Sequence, residues 1–265
     1  MSVPSLVEIL WFLNIFIQAL VVWKITSSEL SRPFRYFRLF LAVEMIVSLL
    51  MMFIRYVLKD RNLYGGAFIA WSYLASIFYF LVILELTSGA LARFPALLAA
   101  SRNALRAFWG IIIVVGLGWY FYLAVRPAQH FPYLYFATRY QDAAAVGFAL
   151  FVFLFLAFVS WMPVPLTSNR LNHSFLLGGL FLSLALSRIV PELGSFAQQR
   201  LIASYIGMGG NCLVLLLWWF RIVAKDSGEF KTPKGPINTA EAEAMLERLE
   251  ELNRTLTRSG PRVLN

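Results

Sequence analysis

The chain has 265 residues, of which 60% are hydrophobic and 16% aromatic, while only 14% are charged. Soluble domains hold about 45–50% apolar and about 25% charged residues, so the composition excludes an ordinary water-soluble fold and points to an all-α, polytopic membrane protein. The formal net charge of +9 then reads as attraction to anionic lipid head groups, with no nucleic-acid partner.

The apolar residues gather into seven runs, each close to the ~20 residues that a helix needs to cross ~30 Å of hydrocarbon. In chain order they are Leu6–Trp23, Leu39–Val57, Ala67–Leu86, Phe108–Val125, Ala143–Trp161, Phe175–Val190 and Leu201–Phe220. Lipid offers no hydrogen-bond partner to the backbone, so each run reads as a helix. The sixth is the shortest and weakest. Before the first run, MSVPSL has no basic stretch, and no small-residue cleavage site follows, so that run reads as a retained span and not a removed signal.

Lysine and arginine set the orientation. With the N-terminus outside, the inner loops and tail hold 16 of the 23 basic residues, beginning with Lys24, Arg32, Arg35, Arg38, Arg93, Arg102 and Arg106. The positive-inside bias therefore places the N-terminus outside and the C-terminus in the cytoplasm. The largest outer loop, RPAQHFPYLYFATRYQD, is aromatic and basic. It reads as a short segment in the head-group layer, with a ligand lid as the alternative. Arg55 and Arg188 at helix ends, with Arg126 and Arg139 in this loop, are candidate outer-face contacts.

Residues 1–222 thus form the membrane domain, followed by a polar linker over 223–237, a soluble helix over 238–258 and a tail over 259–265. In the soluble helix Asn238 can cap and Glu241 can reciprocate, while Glu250 and Arg254 are spaced for an ion pair. Met245, Leu249, Leu252 and Leu256 step by four, three and four, which makes a narrow apolar seam. Two heptads do not sustain a coiled coil, so the seam calls for burial against a second copy, another protein or the chain's own inner loops.

Glu44 is the residue that needs an explanation. A carboxylate inside a membrane-spanning helix costs roughly 2.5–3.5 kcal/mol on insertion scales, so it requires a partner, a proton or water. Ser48 shares its helical face. Counted from the nearest inner basic residues, Gln18, Glu44 and Glu85 lie about 9 to 12 Å deep, which suggests one polar layer. Two carboxyls so placed would share a proton, as in a proton-coupled site, or belong to an ordinary buried network. Asn14 shares a face with Gln18, and Asn211 a face with Ser204, as interhelical hydrogen bonds require. Gly179, Ser183 and Ser187 form a small-residue stripe suited to close helix packing.

The absences also bound the function. Cys212 is the single cysteine, which precludes an intrachain disulfide and a Cys-based zinc site. The two histidines, His130 and His173, fall outside the seven runs, so no metal or haem ligation is expected. The seventh run has no lysine for a retinal Schiff base, and no nucleophile-elbow, zincin or phosphate-loop motif stands in context. The expectation is a non-enzyme without a cofactor.

The stretches LWFLNIFIQALVVW, RPFRYFRLFLAVEMI and LYGGAFIAWSYLASIFYFLVILEL resemble those of an uncharacterised group of bacterial seven-helix integral membrane proteins. That resemblance implies a bacterial inner-membrane location and supplies no function. Similarities between Ala19–Trp23 and Ala157–Trp161, Arg55–Val57 and Arg188–Val190, and Ser72–Ala75 and Ser204–Gly207 suggest that helices 1–3 and 5–7 are parallel repeats around a linker helix. This three-plus-one-plus-three layout is similar to SWEET-type sugar transporters, although their proline-glutamine signature is missing.

The functional expectation is a receptor-like or scaffolding component that acts through association, homo-oligomeric or joined to other membrane subunits, with the tail helix as its contact. The alternatives are a small-solute or proton-coupled transporter using Glu44 and Glu85, and an accessory subunit of a larger membrane complex.

Overall fold

The computed structural model describes residues 5–124, 132–161, 166–189, 197–223, 230–231 and 239–259, with the backbone alone in some stretches. Eight α-helices follow one another: α1 (Leu6–Thr26), α2 (Arg35–Phe53), α3 (Arg61–Ala90), α4 (Pro95–Ala124), α5 (Pro132–Trp161), α6 (Ser168–Ile189), α7 (Ala197–Arg221) and α8 (Thr239–Ser259). Among the described residues, six of them are long and apolar enough to cross a membrane. This is a multi-pass helical membrane protein. The sixth helix is not one of the six, because its opening turns, SNRLNHS, are polar. It is nevertheless 22 residues long and packs along both α5 and α7.

Large side chains point outward along the bundle. Phe12, Phe16, Ile46, Val114, Leu154, Leu213 and Phe220 are all exposed, an arrangement that water would penalise and lipid tails accept. The helices are started by local chemistry. Ser5 accepts from the Glu8 backbone N–H while Glu8 accepts from the Ser5 N–H, a reciprocal cap on α1. Between α2 and α3 the chain reverses within a few residues. A π-helical turn, Ile54–Leu58, ends at Lys59, whose φ of 56° is left-handed, and Asp60 then accepts from the N–H groups of Asn62 and Leu63 to open α3.

Six helices close a ring in the order α1, α2, α3, α5, α6, α7 and back to α1, while α4 lies outside it against α5 and α3. Across the interior α3 also touches α6. At one end, Lys24 donates to the Trp219 carbonyl and its ammonium lies 5.1 Å from that ring's centroid, so α1 and α7 finish side by side. Asn169 exchanges two hydrogen bonds with Val223, 2.8 and 3.0 Å long, and ties the start of α6 to the end of α7. Nearby, Leu166–Thr167 (β1) pairs antiparallel with Phe230–Lys231 (β2), so the segment between α7 and α8 includes a short strand.

The helix α8 is docked on its own chain at this same end, called here the tail end. Leu249 is fully buried and Leu256 half-buried against the core. Asn253 Oδ1 accepts from the Ala96 and Leu97 N–H groups at 2.9 and 3.4 Å, capping α4 from a distance. Leu249 and Leu256 of the expected seam are thus used, together with Asn253, whereas Leu252 is 40% exposed and turns away from it. The side chain of Met245, and Asn238, lie outside the described residues. Glu250 and Arg254 form the expected pair at 3.5 Å, with both side chains exposed. Leu249→Ala should cost about 2–5 kcal/mol of local docking free energy. Limited trypsin digestion is then expected to cleave at Arg248 and Arg254 much faster, with the melting of the seven-helix body unchanged.

The aromatic outer loop also differs from its expectation. From Pro132 onward that stretch is the first part of α5, continuous with the helix and not a separate segment. Residues 125–131 lie outside the described residues.

Candidate functional site

A cavity of about 460 Å³ occupies the ring's interior in the half away from the tail end. Its lining comes from α1, α2, α3, α6 and α7, with no residue of α5 among it. Glu44 and Ser48 face it from α2, Trp11 and Asn14 from α1, Phe68 from α3, Ser187 from α6, and Ser204, Gly207 and Asn211 from α7. At 1.5 Å per residue, Glu44 lies ~18 Å along the helix from Tyr56 at the bundle's end, so the cavity carries a carboxylate to about mid-height.

Glu44 makes no hydrogen bond or ion pair with any described residue. The cavity lining holds no lysine, arginine or histidine to neutralise it. A carboxyl without a partner among helices stays charged only where water or a ligand reaches it, and the cavity opens such a space beside Glu44. Beside it Asn211 Nδ2 donates to Asn14 Oδ1 at 3.2 Å, leaving Asn211 Oδ1 buried without a partner among the described residues.

The shape of the cavity depends on close helix packing. A methyl built on Gly207 would meet Ser187 Cβ at 3.1 Å, and one on Gly210 would meet Ser183 Cβ at 2.5 Å. The small-residue stripe on α6 thus fits against glycines of α7, which brings Ser187 and Gly207 together on the cavity wall.

Of the residues expected in one polar layer, Asn14, Glu44, Ser48 and Asn211 do meet around this cavity. Gln18 does not line it. It is buried one turn further along α1, with Oε1 unpartnered among the described residues. Glu85 is elsewhere: its two oxygens accept from the Tyr36 and Phe37 N–H groups at 2.9 and 3.1 Å. Those donors lie seven and eight residues before Glu44, ~10–12 Å along α2, so no shared layer joins the two carboxylates. Counting from the nearest basic residue misplaced Glu85 because it takes no account of how far one helix is shifted along the next. Glu85 caps α2, whose preceding residue Phe34 offers no side-chain cap. Glu85→Ala is expected to lower stability by roughly 0.5–2 kcal/mol without changing any cavity function, a separation that thermal melting and ligand binding would read independently.

His173, expected in a loop, lies in the second turn of α6 and is buried. Trp218 Nε1 donates to its Nδ1 at 3.0 Å, and Phe34 and Phe37 pack on its ring at centroid distances of 4.5 and 4.9 Å. The misplacement has a cause: the polar start of α6 hid two turns of helix from the hydropathy pattern. Among the described residues no three His, Cys, Asp or Glu side chains gather in a way that could hold a metal ion. Arg55 is exposed beside Tyr56, which donates to Glu8 at 2.5 Å and joins α2 to α1. Arg126 and the side chains of Arg139 and Arg188 lie outside the described residues.

The residues that sequence reasoning missed are Trp11, Phe68 and Met208, whose apolar character gave no signal beyond packing. No family model, curated protein or solved structure matches the chain.

Proposed function

We propose that this protein is a carrier for a small, positively charged polar solute, with Glu44 as the counter-charge in its binding cavity. The observation that carries the reading is a carboxylate at mid-height of the bundle, without a partner among the described residues, facing a cavity of about 460 Å³ whose lining holds no cationic side chain. A volume in the range of ~300–1,000 Å³ suits a small ligand, and the neighbouring amides and hydroxyls are donors and acceptors able to orient one. The proposed setting is a bacterial inner membrane crossed seven times, N-terminus outside and C-terminus in the cytoplasm. The cluster of Lys24, Arg32, Arg102 and Arg170 around the tail end supports that orientation.

Helix arrangement favours transport over simple sensing. Exchanging α1, α2 and α3 with α5, α6 and α7 maps the six ring contacts onto themselves and leaves α4 as an outlying linker. Two three-helix groups around one site are a layout that alternating access by rocking would use. The association reading, as a scaffold, receptor-like component or accessory subunit, loses its strongest support. The apolar stripe of α8 is already used on α4, so an oligomer or partner would have to employ another face.

The test is uptake into proteoliposomes made with the purified full chain, using radiolabelled primary amines and cationic amino acids, beside a thermal-shift series with the same compounds. Saturable uptake of one class, lost in Glu44→Gln, supports the proposal. If no cationic solute is transported or raises the melting temperature, the carrier reading fails.

A further inference from the structure

A second pocket, of about 390 Å³, lies at the tail end, separate from the Glu44 cavity, and three arginines from three different elements line it. Arg32 follows the 3₁₀ turn Glu29–Ser31, Arg102 comes from α4 and Arg170 from the first turn of α6. Two are anchored by neutral groups: Arg170 donates to the Gly89 carbonyl at 2.5 Å and Arg102 to Ser88 Oγ at 3.3 Å. Arg32 has no partner among the described residues, and no ion pair within 4 Å neutralises any of the three. The one carboxylate in the lining, Glu85, has both oxygens engaged by the first-turn N–H groups of α2. Three guanidinium charges against one committed carboxylate leave a net positive pocket.

We propose that this pocket binds a phosphate group carried by an anionic ligand. Arginine presents a planar fork of N–H donors that fits phosphate oxygens and stays charged at any physiological pH. Fixing Arg102 and Arg170 through neutral acceptors holds two forks in place without consuming their charge, which lowers the ordering cost of binding. The phosphate can belong to an anionic lipid of the adjoining leaflet, since basic pockets between membrane helices at a bilayer face bind such head groups, or to a free phosphate-bearing solute. This site depends neither on the solute carried nor on Glu44.

Thermal melting of the full chain in a neutral detergent tests it, with sodium phosphate and a short-chain phosphatidylglycerol as probes and sodium chloride at matched ionic strength as control. The expected result is saturable stabilisation by at least one phosphate-bearing probe, with apparent affinity falling at least ten-fold in Arg32→Gln/Arg102→Gln. Both residues are exposed and bury no backbone contact, so that variant should fold. A response to the lipid alone assigns the site to a head group, whereas a response to both assigns it to phosphate itself. If neither probe exceeds chloride, or the double variant responds as the parent does, the proposal is wrong.

Discussion

Glu44→Gln should weaken solute binding by about 10- to 150-fold while leaving the melting temperature unchanged or slightly raised. The two effects part company because Glu44 makes no bond within the described structure, so its removal breaks nothing. Replacing it with a neutral amide also relieves part of the roughly 2.5–3.5 kcal/mol that a charged carboxylate costs inside a membrane helix. A charge-assisted hydrogen bond to a cationic ligand, by contrast, is worth roughly 1.5–3 kcal/mol, about 10- to 150-fold in affinity. Isothermal titration of the solute identified by uptake, set beside differential scanning fluorimetry, measures both quantities. A large loss of stability in Glu44→Gln would mean that the side chain is a structural partner, and the proposed role would have to be given up.

The second large effect concerns two adjacent glycines on α7 that differ in surroundings. A Cβ at Gly210 would sit 2.5 Å from Ser183 Cβ and 3.8 Å from its Cα, whereas a Cβ at Gly209 meets nothing within 4 Å. Gly210→Ala must push α6 and α7 apart, since Ser183 Cβ cannot retreat without its backbone. Overpacking of this kind costs typically 1–3 kcal/mol. Gly209→Ala should be neutral or gain up to about 1 kcal/mol, because alanine has less backbone freedom to lose in a helix. Denaturation in mixed micelles gives both values, and the double variant Gly210→Ala/Ser183→Gly should recover much of the loss by returning the space. Equal effects at the two positions would show that the α6–α7 approach is not as close as described. Because Ser187 and Gly207 continue the same contact onto the cavity wall, Gly210→Ala is also expected to weaken solute binding.

The reading of individual residues shows where local pattern is informative. Hydropathy and helical period belong to short windows of chain, so the membrane class, six of the seven expected apolar helices and the oddity of Glu44 were visible in the sequence. So were the shared faces of Asn14 with Gln18 and of Glu44 with Ser48, and the pair Glu250–Arg254. The small residues of α6 announced a close contact through their spacing alone, without revealing which helix would meet it.

What chain order could not supply is the identity of partners. Glu85 finds its donors at Tyr36 and Phe37, 49 and 48 residues away, and His173 finds Trp218 at a separation of 45. Asn253 caps a helix that begins about 160 residues earlier, an assignment that no apolar seam would suggest. Each of these pairings depends on relative helix height and rotation, which are set by side chains interlocking across the ring and leave no periodic trace. The amino-acid sequence by itself determined that the chain is a set of lipid-crossing helices with one unexplained acid. Only the packed bundle decided that this acid faces a cavity with no partner among the described residues, because a space between helices is a property of their arrangement and of none of them singly.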